Sequence, residues 1–215
     1  MFASIEPLIV AASIMVGLLF VQSVSAQPQT TGTNNGNISD EEISKLMKEQ
    51  GINSNDVKAR MLVSVIKESY EKKHRSDEEM TKLFREHKTD FETLLKMATE
   101  DPALFRVDAT DNFVTSGSNG EISSERTKQY QTLLSKIGLE TLFAYHASRG
   151  YQNDCYKFVL TTRGLMMAGD AKGYIYITQK PEPLVESLDN YKNTKERTFS
   201  AYKLVEVNWY LFFEH

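Results

Sequence analysis

Apolar residues recur every three or four positions through much of the first half of the chain, which is the period of an amphipathic α-helix. The clearest run begins at Ser76, where Glu79 completes a capping-box pattern, and Pro102 ends it. The same spacing predicts further helices at about 39–50, 55–74 and 123–137. The first half of the chain is therefore predicted to be mainly helical.

The pattern after Gly138 is typical of β-strands. Residues 139–215 contain 14 aromatic residues in 77 positions, against 6 in the 112 positions of residues 27–138, and aromatic residues favour strands. A strand that begins at Trp209 is apolar on both faces, which predicts a central or doubly covered strand. We predict strands at about 140–148, 155–162, 165–168, 173–178, 199–206 and 209–214, with a short strand at 104–107.

Helices followed by a run of short strands predict an α+β fold. The connections between residues 148 and 173 are too short for a crossover helix, so the sheet should be antiparallel and meander-like. We expect N-terminal helices packed on a C-terminal antiparallel β-sheet. They should form one α+β domain over 39–215, mainly helical in 39–138 and mainly strands in 139–215.

The first 26 residues have the features of an export signal. Leu8 to Phe20 is an apolar run of 13 residues, and Val24-Ser25-Ala26 supplies small residues at the two positions that a signal peptidase reads. We predict cleavage after Ala26, a disordered tether over the polar residues 27–38, and a mature protein in the periplasm or outside the cell. Residues 1–6 contain no Lys or Arg, unlike a typical signal peptide. The 20 uncharged residues from Pro7 to Ala26 are just long enough to span a membrane, so an uncleaved anchor in the inner membrane is the alternative.

Composition and charge remove several classes of function. The net charge of −4 and the pI near 5.7 give no basic surface of the kind that nucleic acid needs. The single cysteine excludes an internal disulfide and a cysteine-rich zinc site, and the four histidines lack metal-ligand spacing. The chain also lacks a phosphate-binding loop motif and a G-x-S-x-G motif. We therefore predict neither a cofactor nor a metal site.

Cys155 and His146 are the one pair that could support nucleophilic catalysis. They flank the turn at 149–154, and a hairpin there would bring a thiol and an imidazole close together. The alternative is that both side chains simply pack in the sheet. A small Cys–His hydrolase or transferase is therefore the alternative function.

The tyrosines of the predicted sheet are the strongest sign of a binding face. A tyrosine combines an apolar ring with a polar tip, which suits a contact surface, although ordinary strand lining would use the same residues. We predict an exported, non-catalytic binding protein whose partner is a protein, a peptide or a small apolar ligand. A structural component anchored in the membrane is the further alternative. The candidate ligand face consists of Tyr145, Tyr156, Tyr174, Tyr176, Tyr202 and Tyr210.

Overall fold

The structure, a computed structural model, describes residues 68–110, 114–116, 121–164, 169–189, 191 and 199–215, together with the isolated positions Glu41 and Ser64. The predicted export signal, the tether, the strand at 165–168 and most of the first two predicted helices lie outside the described residues. Residues 68–71 of the second predicted helix are helical.

The chain divides into two compact units. The first consists of residues 1–71 and 164–167, of which few are described. The second consists of residues 72–163 and 168–215 and contains every helix and strand named below. That residues 39–215 form one domain therefore stays a prediction.

Among the described residues, the second unit contains three helices. They are α1 (Asp77–Glu86), α2 (Lys88–Glu100) and α3 (Ser124–Ile137). The capping box at the start of α1 is confirmed, because the Ser76 hydroxyl accepts a hydrogen bond from the Glu79 amide and the Glu79 carboxylate accepts one from the Ser76 amide. The single helix predicted from Ser76 to Pro102 is broken at His87, which caps the end of α1 and the start of α2.

Within the described residues, seven strands form one antiparallel sheet, which confirms the α+β fold and the antiparallel sheet. The strands are β1 (Leu104–Asp108), β2 (Val114–Ser116), β3 (Thr141–Tyr145), β4 (Cys155–Arg163), β5 (Asp170–Ile177), β6 (Ser200–Glu206) and β7 (Trp209–Glu214). Their order in the sheet is β2-β1-β3-β4-β5-β7-β6. Only β3 to β5 form a simple meander, since β7 inserts between β5 and β6. Strand β2 was not predicted from the sequence.

The inner position of β7 confirms the prediction made from its composition. Asn208, with φ 64°, turns the chain between β6 and β7. Trp209 and Leu211 then face the main core, whereas Tyr210 and Phe212 face the opposite side of the sheet. All four side chains are buried, so both faces of the strand are covered.

The helices pack on one face of the sheet, which we call the helix face. Aromatic rings dominate this contact: the Phe91 ring lies 4.7 Å from the Tyr174 ring, and the Phe84 ring lies 5.1 Å from the Trp209 ring. The Tyr174 hydroxyl donates to the backbone oxygen of Met80 over 2.9 Å. Strand and helix are thereby joined by ring packing and by a buried hydrogen bond.

A buried ion-pair network fastens the start of α1 to the sheet. The Asp77 carboxylate lies 2.9 Å from the Lys172 ammonium and 3.2 Å from the Lys203 ammonium. It also accepts a hydrogen bond from the Leu188 amide over 2.8 Å. Asp189 adds a second carboxylate 2.6 Å from Lys172. The network therefore ties one helix, two strands and the loop before β6 together.

The outer edge of β6 is partly covered by the segment 183–185. The Tyr202 amide donates to the backbone oxygen of Pro183 over 3.0 Å, and the backbone oxygen of Tyr202 accepts from the Val185 amide over 2.8 Å. The middle of this edge strand therefore has its backbone hydrogen bonds satisfied on both sides.

Candidate functional site

The structure divides the six predicted tyrosines between the two faces of the sheet. Three of them pack on the helix face with the main core, and three belong to the opposite face, which we call the second face. The helix-face tyrosines are Tyr156, Tyr174 and Tyr176, and the second-face tyrosines are Tyr145, Tyr202 and Tyr210. The prediction that all six share one face is therefore wrong.

Strand geometry explains this division. Side chains alternate between the faces of a strand, so the face of a tyrosine depends on the register of its strand. Tyr156 pairs with Tyr176, and Phe158 pairs with Tyr174, which places these side chains together beneath the helices. Burial raises the pKa of the Tyr174 hydroxyl, as expected for a core residue. These helix-face tyrosines are core residues of the sheet.

Cys155 and His146 also lie on opposite faces, so the structure does not assemble the predicted dyad. Cys155 pairs with Tyr145 and contacts the second face. His146 is buried against Tyr156, with 5.6 Å between the ring centroids. Burial raises the pKa of the thiol to about 11, and burial lowers the pKa of the imidazole. A thiol with that pKa is almost entirely protonated near pH 7 and is a weak nucleophile.

A partly exposed aromatic cluster lies on the second face, around β1 and β3. We call it the aromatic–cationic patch, because it combines four rings in mutual contact with three cationic side chains that lie over three of those rings. Its members are Phe105, Arg106, Phe143, Tyr145, Arg149, Tyr151 and Lys157. Six are half-buried, and Tyr151 is 42% exposed.

The four rings support one another through edge and stacking contacts. The Phe105 ring meets the Tyr145 ring edge-on at 5.7 Å, and the Phe143 ring stacks on the Tyr145 ring at 6.2 Å with 10° between their planes. The Tyr151 ring meets the Tyr145 ring edge-on at 5.0 Å. Contacts of this kind fix ring positions, so the patch presents a preformed surface.

Each cation of the patch lies over one of these rings. The guanidinium carbon of Arg106 is 5.4 Å from the Phe143 ring centroid, and that of Arg149 is 5.9 Å from the Phe105 centroid. The Lys157 ammonium is 5.9 Å from the Tyr145 centroid. These distances are within the range of cation–π attraction. The rings therefore help to hold the three charges in place.

A short 3-10 helix (Ala147–Arg149) positions the exposed end of the patch. The Asp154 carboxylate accepts a hydrogen bond from the Ala147 amide over 2.7 Å at its start. Gly150, with φ 89°, ends it in a left-handed conformation that favours glycine. This turn places Arg149 and Tyr151 on either side of one glycine, next to the rings of β1 and β3.

The three cations differ in their charge partners. Arg106 forms an ion pair with Asp108 at 2.9 Å, and Lys157 forms one with Glu214. Burial acts to lower the pKa of Lys157, but the charge and hydrogen bond of Glu214 raise it by more. Arg149 has no carboxylate partner within the part of the chain that the structure describes. Its guanidinium instead donates to the backbone oxygen of Leu104 over 3.1 Å.

Sequence reasoning found only one member of the patch, Tyr145. The alternation of Phe143 and Tyr145 along β3 was a usable signal for a shared face. The contribution of Phe105 was not readable, because it depends on the pairing of β1 with β3 across more than thirty intervening residues. The role of Arg149 depends on the 3-10 helix, which the sequence indicated only as a turn.

No known protein family, curated protein or solved structure matches the chain. Across the ranges given above, no three His, Cys, Asp or Glu side chains come together in a way that could hold a metal ion. None of the helices in the described part of the chain is long and apolar enough to cross a membrane.

Proposed function

We propose that this protein is a non-catalytic binding module that contacts a protein or peptide partner through the aromatic–cationic patch. The observation that carries this proposal is a cluster of four partly exposed rings, three of which lie under a cation, on one face of a packed sheet. Tyrosine and arginine are the residue types most enriched at the energetic centres of protein interfaces.

The rigidity of the patch supports binding by a preformed surface. Tyr145 contacts three other rings, and burial raises the pKa of its hydroxyl. Next to the patch, the second face has a buried apolar strip. It is packed and supports the patch, and it consists of Val159, Ile175, Tyr210 and Phe212. A partner would therefore meet side chains that are already ordered, which lowers the entropic cost of association.

The accessible part of the patch suits an extended segment better than a buried small molecule. Tyr151 and Arg149 lie at the surface of a turn, and the rings behind them line a sheet face. Small-molecule sites usually bury most of their ligand in a concave pocket. An extended peptide can instead place side chains against such a surface without being enclosed by it.

The separation of Cys155 from His146 favours binding over the Cys–His alternative. We further propose that the module acts after export, with residues 1–26 removed, in the periplasm or outside the cell. The apolar run from Leu8 to Phe20 and the small residues before Gln27 support this location. Attachment to the membrane would apply only if that segment were retained.

Two synthetic tetrapeptides test the proposal by nuclear magnetic resonance on the ¹⁵N-labelled protein. They are the neutral acetyl-Asn-Phe-Asn-Phe-amide and its acidic counterpart, acetyl-Asp-Phe-Asp-Phe-amide. We expect concentration-dependent amide shifts in residues 143–151. Tyr151→Ala should weaken binding about two- to tenfold, because it removes the most exposed ring and its contact with Tyr145.

Leu204→Ala is the matched control. Leu204 is 58% exposed and lies on β6, at the other end of the sheet, so its loss removes accessible apolar surface without touching the patch. The control should bind both peptides as the wild type does. The proposed function is wrong if neither peptide changes the amide chemical shifts of residues 143–151, or if Tyr151→Ala binds the peptides as tightly as the control.

A further inference from the structure

Arg149 has an unused capacity that sets it apart from the other two cations of the patch. Arg106 and Lys157 already face Asp108 and Glu214. Arg149 donates one hydrogen bond to a backbone oxygen and has no ion pair among the described residues. A guanidinium has five N–H donors arranged for planar recognition of a carboxylate, so most of its donors are available to a ligand.

The position of Arg149 is also fixed before any ligand arrives. Its guanidinium bonds to the Leu104 oxygen over 3.1 Å and lies over the Phe105 ring. Gly150 and the Asp154 carboxylate hold the 3-10 helix on which it lies. An arginine that is already ordered loses less entropy when it pairs with a carboxylate.

Arg149 is the one cation of the patch for which no ion pair is formed among the described residues. The nearest exposed acid of the turn, Asp154, uses one carboxylate oxygen on the Ala147 amide. Arg149 is also separated by a single residue from Tyr151, the most exposed ring. A cationic side chain and an exposed ring are therefore close neighbours in the sequence of this turn.

We propose that the segment bound by the patch is acidic, with a carboxylate received by Arg149 and a neighbouring aromatic or aliphatic side chain placed on Tyr151 and Tyr145. This proposal rests on the proposed function, and it specifies the chemistry of the partner. A carboxylate on a flexible peptide can form a bidentate pair with the free edge of the guanidinium, which gives direction as well as attraction.

The test compares the acidic and the neutral tetrapeptide on the same protein. We expect the acidic peptide to bind the wild-type chain about tenfold more tightly at low ionic strength, which corresponds to one charge-assisted contact at a partly exposed site. Raising the salt concentration should reduce this preference, because it screens exposed charges. The dissociation constants come from amide shifts of residues 143–151.

Variants at Arg149 assign the preference to this residue. Arg149→Gln should bind both peptides alike, and Arg149→Lys should retain part of the preference because it keeps the charge. Arg85→Gln is the matched control, since Arg85 is an exposed arginine on α1 without an ion pair among the described residues. It should keep the full preference for the acidic peptide.

The outcomes separate this inference from the proposed function. If both peptides bind the patch equally and Tyr151→Ala weakens both, the patch binds but the acidic specificity is wrong. If the acidic peptide binds more tightly but Arg149→Gln keeps that preference, the assignment to Arg149 is wrong. If neither peptide changes the amide chemical shifts of residues 143–151, both proposals are wrong.

Discussion

Removal of the Asp77 carboxylate should cause a large loss of stability. Asp77 and Lys172 are 2% and 3% exposed, so the substitution Asp77→Ala leaves a buried ammonium without its nearest partner on α1. Breaking a buried pair in this way typically costs about 3–5 kcal/mol, out of a total stability of about 5–15 kcal/mol. Because Asp189 remains 2.6 Å from Lys172, we expect a loss near the lower value.

Urea denaturation followed by tryptophan fluorescence measures this loss directly. The chain contains one tryptophan, Trp209, which is buried beside Phe84 of α1. Glu78→Ala is the matched control, because Glu78 is an exposed acid in the same helical turn. It should change the unfolding free energy by about 0.5 kcal/mol at most. The double variant Asp77→Ala, Lys172→Met should be more stable than Asp77→Ala alone, since it also removes the buried charge.

The pH dependence gives a second reading of the same network. Burial acts to raise the pKa of Asp77, but Lys172, the Leu188 amide and Lys203 lower it by more, so its folded pKa is below the ordinary value. A carboxyl group with a lowered folded pKa stabilises the protein above its unfolded pKa, about 3.9, and loses that contribution as the pH falls through the folded pKa. The gap between wild type and Asp77→Asn should therefore be constant above about pH 5 and shrink below about pH 4.

Two results would refute the reasoning about Asp77. One is a loss below about 1 kcal/mol for Asp77→Ala, which would mean that the pair contributes no more than an exposed pair. The other is a stability gap between wild type and Asp77→Asn that grows as the solution becomes more acidic, because that is the opposite sign.

Two further predictions concern strands of the sheet. Gly173→Ala should lower the unfolding free energy by about 1–3 kcal/mol, because a Cβ there would collide with the Phe158 backbone oxygen and lie 2.9 Å from the Phe212 ring; an unchanged midpoint in urea would contradict this. Iodoacetamide should modify Cys155 slowly in the folded protein at pH 7.5 and rapidly in urea, since the folded thiol has a pKa of about 11; intact mass follows the reaction, and equal rates in both states would contradict it.

The fold class was predictable because the first half of the chain repeats a helical period and the second half is rich in aromatic residues, which favour strands. The break at His87 was not, since Phe84 and Phe91 are seven positions apart and fall on the same face with or without an interruption. The hydrogen-bonding contact between His87 and Asp90, 3.0 Å apart, is compatible with a continuous helix as well. Periodicity therefore finds helical residues more reliably than it finds helix ends.

The candidate site was less predictable, because composition does not give strand register. Tyr145 and Tyr156 were both predicted to lie on strands, yet one lies in the patch and the other lies under the helices. A shift of one residue in a strand exchanges its two faces. Arg149 could be recognised only once the turn had placed its guanidinium over Phe105. The pairing of the strands decides which side chains share a face, and that pairing depends on contacts between residues far apart in the sequence.

The segment 183–185 has a consequence for how the protein behaves at high concentration. An exposed strand edge is a template onto which a strand of another molecule can add, and repeated addition leads to fibrous aggregates. The segment forms hydrogen bonds with the backbone amide and the backbone oxygen of Tyr202, and it therefore interrupts that template in the middle of β6. The β6 edge of the sheet is therefore a poor site for growth into a polymer.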